Sequence, residues 1–272
     1  MTTRSLLAGL VLAAAAVVPA LVGLASLKGE PEPMVIEEAP AEPAVSELRA
    51  LLEADPEGAV ALVRQALLTD PNILEEAITA LETQRAEAQA AAVGDVIAAN
   101  QAAIFESEHN IVLANPEGTI TLVEFFDYNC GFCRRALEDL DALAEAHPEL
   151  RIVVKEFPVL GQDSVDAARV SLAFAMQEGL DYAFFHNELL GNRERANGEE
   201  ALALAELLGA DMDRLREDMT SPAIEAAIRE SYELANALGI NGTPSFVVGD
   251  QLIFGAVGFD ALVAAVASAA GS

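Results

Sequence analysis

The chain has 272 residues, 53% of them apolar, and carries a formal charge of −29 with an isoelectric point near 4.2. That apolar share suffices for a core of one large or two modest domains. The negative surface repels nucleic acid and anionic membrane surfaces, which excludes both as binding partners. In chain order, residues 1–28 read as an export signal: Arg4 is the positive start, Leu6 to Leu27 is uncharged and nearly all apolar, and Gly23-Leu24-Ala25 is a small-x-small cleavage site. The same run is long enough to stay as an uncleaved membrane anchor. Residues 29–45 are a Pro/Glu linker of disordered composition. Residues 46–109 read as helices, with Asp55-Pro56 and Asp70-Pro71 each placing a cap before a proline at the first helical position. One helix is expected from Pro56 to Leu68 and a long one from Pro71 to about Phe105. Such an alanine-rich segment makes little core alone, so it should pack on the remainder of the chain or on copies of itself, without a sustained heptad pattern. His109 to Glu117 reads as a turn-rich entry.

The remainder, 110–272, starts with an expected strand from Thr119 to Phe126, a helix ending near His147-Pro148, and a strand from Arg151 to Phe157, a βαβ unit. Residues 161–238 read as four or five helices punctuated by Gly179, Gly191, Gly209 and Gly239. Phe174, Met176, Tyr182, Phe184, Phe185 and Leu189 are expected in the core, and His186 among them as an interior histidine. A hairpin, Ser245 to Val248 and Leu252 to Phe254, and a helix from Phe259 close the chain.

Two cysteines, Cys130 and Cys133, stand C-x-x-C where the first strand gives way to its helix. This reads as a thioredoxin-like redox site. A helix N-terminus stabilises a thiolate, so Cys130 is the expected nucleophile and Cys133 the resolving thiol. A structural disulfide and half of a metal site are the alternatives. Zinc needs about four ligands, the chain has no second cysteine pair, and His109, His147 and His186 are scattered. A dithiol can also hold Cu(I). Thr243-Pro244, just before an apolar strand, is placed for a cis-proline facing the dithiol and presenting backbone to an incoming peptide. Glu124 is a lone carboxylate in an otherwise buried run; buried, its pKa would rise and suit it to exchange protons with Cys133, the alternative being a side chain that points to solvent at the strand end. Lys155 on the neighbouring strand is its expected partner.

These residues resemble the DsbA family of periplasmic thiol:disulfide oxidoreductases over roughly Asn110 to Ala270. The likeness rests on Val-Glu-Phe-Phe-Asp-Tyr-x-Cys-x-x-Cys at 123–133, Lys-Glu-Phe-Pro at 155–158 and Gly-Ile-Asn-Gly-Thr-Pro-Ser-Phe at 239–246. It implies an α/β fold, a thioredoxin-like domain with an inserted helical domain, here with an N-terminal helical extension. It implies Cys130 as nucleophile, Cys133 as resolving cysteine, Glu124 as buried acid and Pro244 as cis-proline, with Thr243 and Phe132 meeting the substrate. Where DsbA itself has Pro-His between its cysteines this chain has Gly131-Phe132, closer to the isomerase DsbC, which also has Thr before its cis-proline. The extension is similar to that of the ScsC-like branch, where such a region forms oligomers that support isomerase activity. The implied activity is thiol–disulfide exchange on exported cysteine-containing proteins in the periplasm, leaning to isomerase or reductase, with dithiol oxidase or Cu(I) binding as alternatives. A membrane redox partner and a homo-oligomer are implied; no cofactor or metal is required.

Overall fold

The computed structural model describes residues 46, 49, 50 and 52–271. The expected export signal and linker lie outside the described residues. Among the described residues, no helix is long and apolar enough to cross a membrane. The chain divides into two compact units at Asp70–Pro71.

In the first unit, helix α1 (Pro56–Thr69) starts where proline at the first helical position fits the orphan donors of a helix end. Asp55 caps it, accepting from the Gly58 N–H at 3.0 Å. None of its residues is buried, and Val60, Leu62, Val63 and Leu68 are exposed.

The second unit opens with α2 (Asn72–Ala99) and a short α3 (Gln101–Phe105). The expected single helix breaks at Asn100, whose side chain donates back to the Val96 carbonyl at 2.8 Å. The first part of α2 exposes Ile73, Leu74, Ile78 and Leu81, whereas Ile97 and Ile104 are buried against the sheet. Packing with the catalytic core therefore begins well before Asn110, where the sequence placed the start of that domain.

The sheet has five strands in the order β1-β3-β2-β4-β5: β1 (Ile111–Ala114), β2 (Ile120–Phe126), β3 (Leu150–Glu156), β4 (Ser245–Val248) and β5 (Gln251–Phe254). β2 and β3 run parallel, joined by helix α4 (Gly131–Ala146), and the other neighbours are antiparallel. β1 is the strand that the entry reading missed. Its four residues carry too little alternation to read as a strand, and only pairing with β3 makes them one.

Side-chain alternation splits the core in two. Leu122, Ile152, Phe246 and Val248 face α4 and the last helix, α10 (Phe259–Ala270). Val123, Phe125, Val153 and Val247 face the ends of α2, α3 and α9 (Pro222–Leu238). The inserted helices are α5 (Gln162–Ala175), α6 (Tyr182–Gly191), α7 (Gly198–Leu207), α8 (Met212–Asp218) and α9. They pack over Phe126 and Val154 at the C-terminal ends of β2 and β3, the usual place for a site in an open α/β sheet. Gly239, at φ 71°, ends α9 in the left-handed conformation that glycine adopts without strain. Phe174, Phe185 and Leu189 are buried as expected, but Met176 and Phe184 are exposed. Insert helices present apolar residues on more than one face, and their inward face was not readable without their neighbours.

Candidate active site

β2 carries Glu124 into the sheet and ends at the turn that presents the dithiol. Cys130 occupies the N-cap of α4 with extended backbone, φ −83° and ψ 113°. An N-cap side chain accepts hydrogen bonds from the second and third helical N–H groups. Here the cap side chain is a thiol that makes no capping hydrogen bond of ordinary geometry, but the Phe132 and Cys133 N–H groups lie near enough to favour its charged form. Both cysteines are free thiols; Cys130 is 6% exposed and Cys133 fully buried.

The Cys130 thiol is lowered from 9.0 to about 5. Its main cause is a hydrogen bond from the Cys133 thiol. Burial opposes this, and the Thr243 side chain and the two helical N–H groups add to the lowering. Thr243 acts in both directions, because its main-chain oxygen, 3.1 Å away, accepts from the Cys130 thiol and so favours the protonated form. Cys133 is driven far upward, first by burial, then by its hydrogen bond to Cys130 and by the charges of Glu124 and Cys130. One sulfur is thus a thiolate at neutral pH and the other a thiol.

The Thr243–Pro244 bond is cis, and this loop lies against Cys130, 113 residues away in sequence. Phe132 is 56% exposed, with the Arg135 guanidinium 4.1 Å from its ring centre. Gly131 has open space where a Cβ would stand, so neither residue between the cysteines crowds Cys130.

Glu124 is buried, and neither carboxylate oxygen has a hydrogen-bond partner. Burial, and then the Cys130 charge, raises its pKa from 4.5 to about 8. Lys155 is not its partner. β2 and β3 pair Glu124 with Val154 and Phe125 with Lys155, so the lysine leaves the opposite face of the sheet. There its Nζ donates to Glu230 of α9 at 2.7 Å, and the second oxygen of Glu230 accepts from Ser107 at 2.9 Å. The lysine side chain is 2% exposed and the glutamate 24%. This asymmetry predicts that Glu230→Ala, which strands a buried ammonium, costs about 3 kcal/mol in urea unfolding. Lys155→Met, which leaves a partly hydrated carboxylate, should cost far less.

Sequence reasoning missed a second polar layer. Tyr128, Ser171, Tyr182 and His186 join through the Tyr128 hydroxyl, 2.8 Å from Ser171, 3.4 Å from Tyr182 and 3.3 Å from His186 Nδ1. His186 is interior as expected and neutral, lowered to about 3 by burial, but its Nε2 lacks a partner. Glu156 is buried nearby, and desolvation raises its carboxyl well above the usual carboxylate range. No sequence signal ties these residues together, since α5 and α6 meet Tyr128 only in the fold. Among the described residues no cluster of three or more His, Cys, Asp or Glu is placed for a metal ion.

What the fold and dithiol define is the class of thioredoxin-fold oxidoreductases. A family model for the DSBA-like thioredoxin domain matches residues 121–267. With more than half of its length matched, the chain belongs to that family. A thioredoxin-like oxidoreductase from Silicibacter pomeroyi DSS-3 is 44% identical, with a TM-score of 0.61 over 64% of this chain and 99% of its own. ScsC from Proteus mirabilis, in a transitional conformation, is 27% identical with a TM-score of 0.58, covering 80% of this chain and 96% of ScsC. The Na(+)/H(+) antiporter NhaA 1 of Salinispora arenicola (strain CNS-205) is 30% identical over 155 residues, 56% of this chain and 24% of the antiporter. The chain thus spans about a quarter of the length of the curated relatives it matches, and that likeness concerns this quarter alone.

Proposed function

We propose that the chain catalyses thiol–disulfide exchange on exported proteins in the periplasm, acting as an isomerase or reductase. The observation that carries this is the pairing of unlike cysteines: Cys130 stands at the N-terminus of α4 with its thiol lowered to about 5, and Cys133 is fully buried with its thiol pushed upward. The Cys130 thiolate attacks a substrate disulfide, forming a mixed disulfide and releasing one substrate thiolate. In its ionised form, favoured once the mixed disulfide removes the Cys130 charge, Glu124 accepts the Cys133 proton, and Cys133 then attacks Cys130, releasing the second substrate thiolate. Two electrons pass to the substrate; the reverse sequence oxidises it. In isomerisation a substrate thiolate resolves the mixed disulfide instead and Cys133 is not consumed. In this reading the Thr243 main chain and the exposed Phe132 ring meet the substrate chain. A membrane partner returns the dithiol to its working redox state, and the export reading rests on the apolar segment Leu6 to Leu27.

The isomerase reading goes with self-association through the N-terminal helices. Leu62 is 71% and Leu68 77% exposed on α1, and Leu74, Ile78 and Leu81 form an exposed apolar stripe on α2. Such surface is costly to leave in water. The likeness to ScsC extends over 80% of the chain, past the matched domain. Cutting the chain near His109 would strip Ile97 and Ile104 from the core, so substitutions on the exposed stripe are the clean test. Ile78→Glu with Leu81→Glu should reduce the oligomer to monomer in light scattering. The pair should also lose reactivation of scrambled ribonuclease while still reducing a small disulfide. A variant that stays assembled, or isomerises as a monomer, sinks the assembly reading. Wild type that reactivates no ribonuclease is an oxidase or reductase.

A further inference from the structure

Asp127 stands between β2 and the dithiol turn, and none of it reaches solvent. Its carboxylate is nevertheless fully engaged. Oδ1 accepts from the Asn129 N–H at 2.8 Å and from the Ser164 hydroxyl at 2.8 Å, and Oδ2 accepts from the Leu160 N–H at 2.9 Å. Asn129 in turn donates its side-chain amide to Ser164 Oγ and to the Ala196 carbonyl, each at 2.9 Å. Ser164 therefore accepts from Asn129 and has its own hydrogen to give to Asp127. Every hydrogen-bond partner of the carboxylate is a donor, the set a carboxylate takes and an amide cannot.

The residues of this network come from different places. Asn129 belongs to the dithiol turn, Leu160 to the loop after β3, Ser164 to the first turn of α5, and Ala196 to the connection between α6 and α7. The main chain of Asp127 meets both cysteines. Its carbonyl accepts from the Cys130 N–H at 2.9 Å, and its main chain lies near enough to Cys133 to favour that sulfur's charged form. One buried residue thus joins the inserted helices to the two reacting sulfurs.

We propose that Asp127 is a positioning residue for Cys130, its carboxylate fastening the dithiol turn to the helical insert so that the sulfur stays at the N-terminus of α4. The proposal rests on Cys130 being the attacking thiol. Two effects of Asp127 have opposite signs, which makes the role testable. As a nearby negative charge it opposes a Cys130 thiolate; as a tether it supports one, because the Phe132 and Cys133 N–H groups stabilise the sulfur only when it is held before them. The other groups facing Cys130 are Cys133 from α4, Glu124 from β2 and Thr243 from the cis-proline loop. Those facing Asp127 are Glu156 from β3 and Tyr232 from α9.

The test is the pH dependence of Cys130 alkylation by iodoacetamide in the reduced full chain, where buried Cys133 reacts slowly. Asp127→Asn keeps the size but sets an amide hydrogen against a donor. It is expected to move the Cys130 titration upward by about one unit. Ser164→Ala keeps the charge, removes one donor, and should move it the same way by less. A downward shift in Asp127→Asn means the charge dominates and overturns the proposal. So does an unmoved titration in a variant whose circular dichroism shows it folded. If Asp127→Asn does not fold, Ser164→Ala decides, and an unmoved titration there overturns the proposal. The activity reading is tested apart from this by wild type: a wild-type Cys130 titrating near the ordinary thiol value of about 8.5 would contradict it.

Discussion

Cys130→Ser is expected to abolish disulfide exchange, lowering its rate by about three orders of magnitude or more, since the remaining thiol, Cys133, is fully buried and held protonated by that burial. Cys133→Ser should behave differently. A serine hydroxyl can still donate to the Cys130 sulfur, so attack on a substrate disulfide continues, but nothing resolves the product from within the protein. Mixed disulfides with the substrate should accumulate and be visible on non-reducing gels. With Cys130 near 5, attack should be almost independent of pH from about 6 to 8 and fall only as the solution approaches pH 5. If both variants retain exchange, the dithiol is not the working group. If Cys133→Ser forms no mixed disulfide, Cys130 does not attack first.

The core of this site was legible because it is local. A strand pattern from 119, a helix pattern from 134 and two cysteines between them fix the sulfurs at a helix N-terminus within one βαβ unit. Thr243-Pro244 was legible from the strand it precedes, and Glu124 from being the one charge in a buried run. What failed was register. Lys155 is near Glu124 in any pairing of the two strands, but only the alignment of Glu124 with Val154 puts its side chain on the other face, with Glu230. Asp127 was passed over for the same kind of reason. Between Phe126 and Tyr128 it reads as an ordinary turn residue, and its donors lie 33 and 37 residues away, in elements whose docking no local pattern states. The helical extension divides along the same line. Ile97 and Ile104 look no different in sequence from Ile73 and Ile78, yet the first two are core and the last two face water.

The second large effect concerns Glu124, and it turns on two linkages of opposite sign. Glu124 is raised from 4.5 to about 8. Its contribution is intact below pH 4.5, where both states are protonated, and is lost as pH rises toward 8, because the unfolded chain ionises first. At about 1.4 kcal/mol per unit crossed, this costs the fold about 3 kcal/mol by pH 7. Cys130 works the other way in the reduced protein. Its lowering from 9.0 to about 5 supplies stability that is complete above pH 9 and is lost as pH falls through 5. The two windows overlap, so these two contributions nearly cancel in reduced wild type from pH 5 to 8; buried His186 and Glu156 also bend the curve, but equally in all three proteins, so the slopes are read as differences from wild type. Glu124→Gln removes the falling component: the reduced protein should be about 3 kcal/mol more stable than wild type at pH 7, and the gap should widen as pH rises over that window. Reduced Cys130→Ser removes the rising component and should lose stability over the same range. Urea titrations of the three proteins at pH 5, 6, 7 and 8 read both slopes, and a Glu124→Gln curve parallel to wild type would mean the carboxyl does not titrate there. The same substitution should slow release of substrate from the mixed disulfide by about a hundredfold, because the Cys133 thiol then has no buried acceptor for its proton. The instability of Glu124 at neutral pH and its service to Cys133 have one physical origin, a carboxyl placed beside a thiol where neither is easily charged.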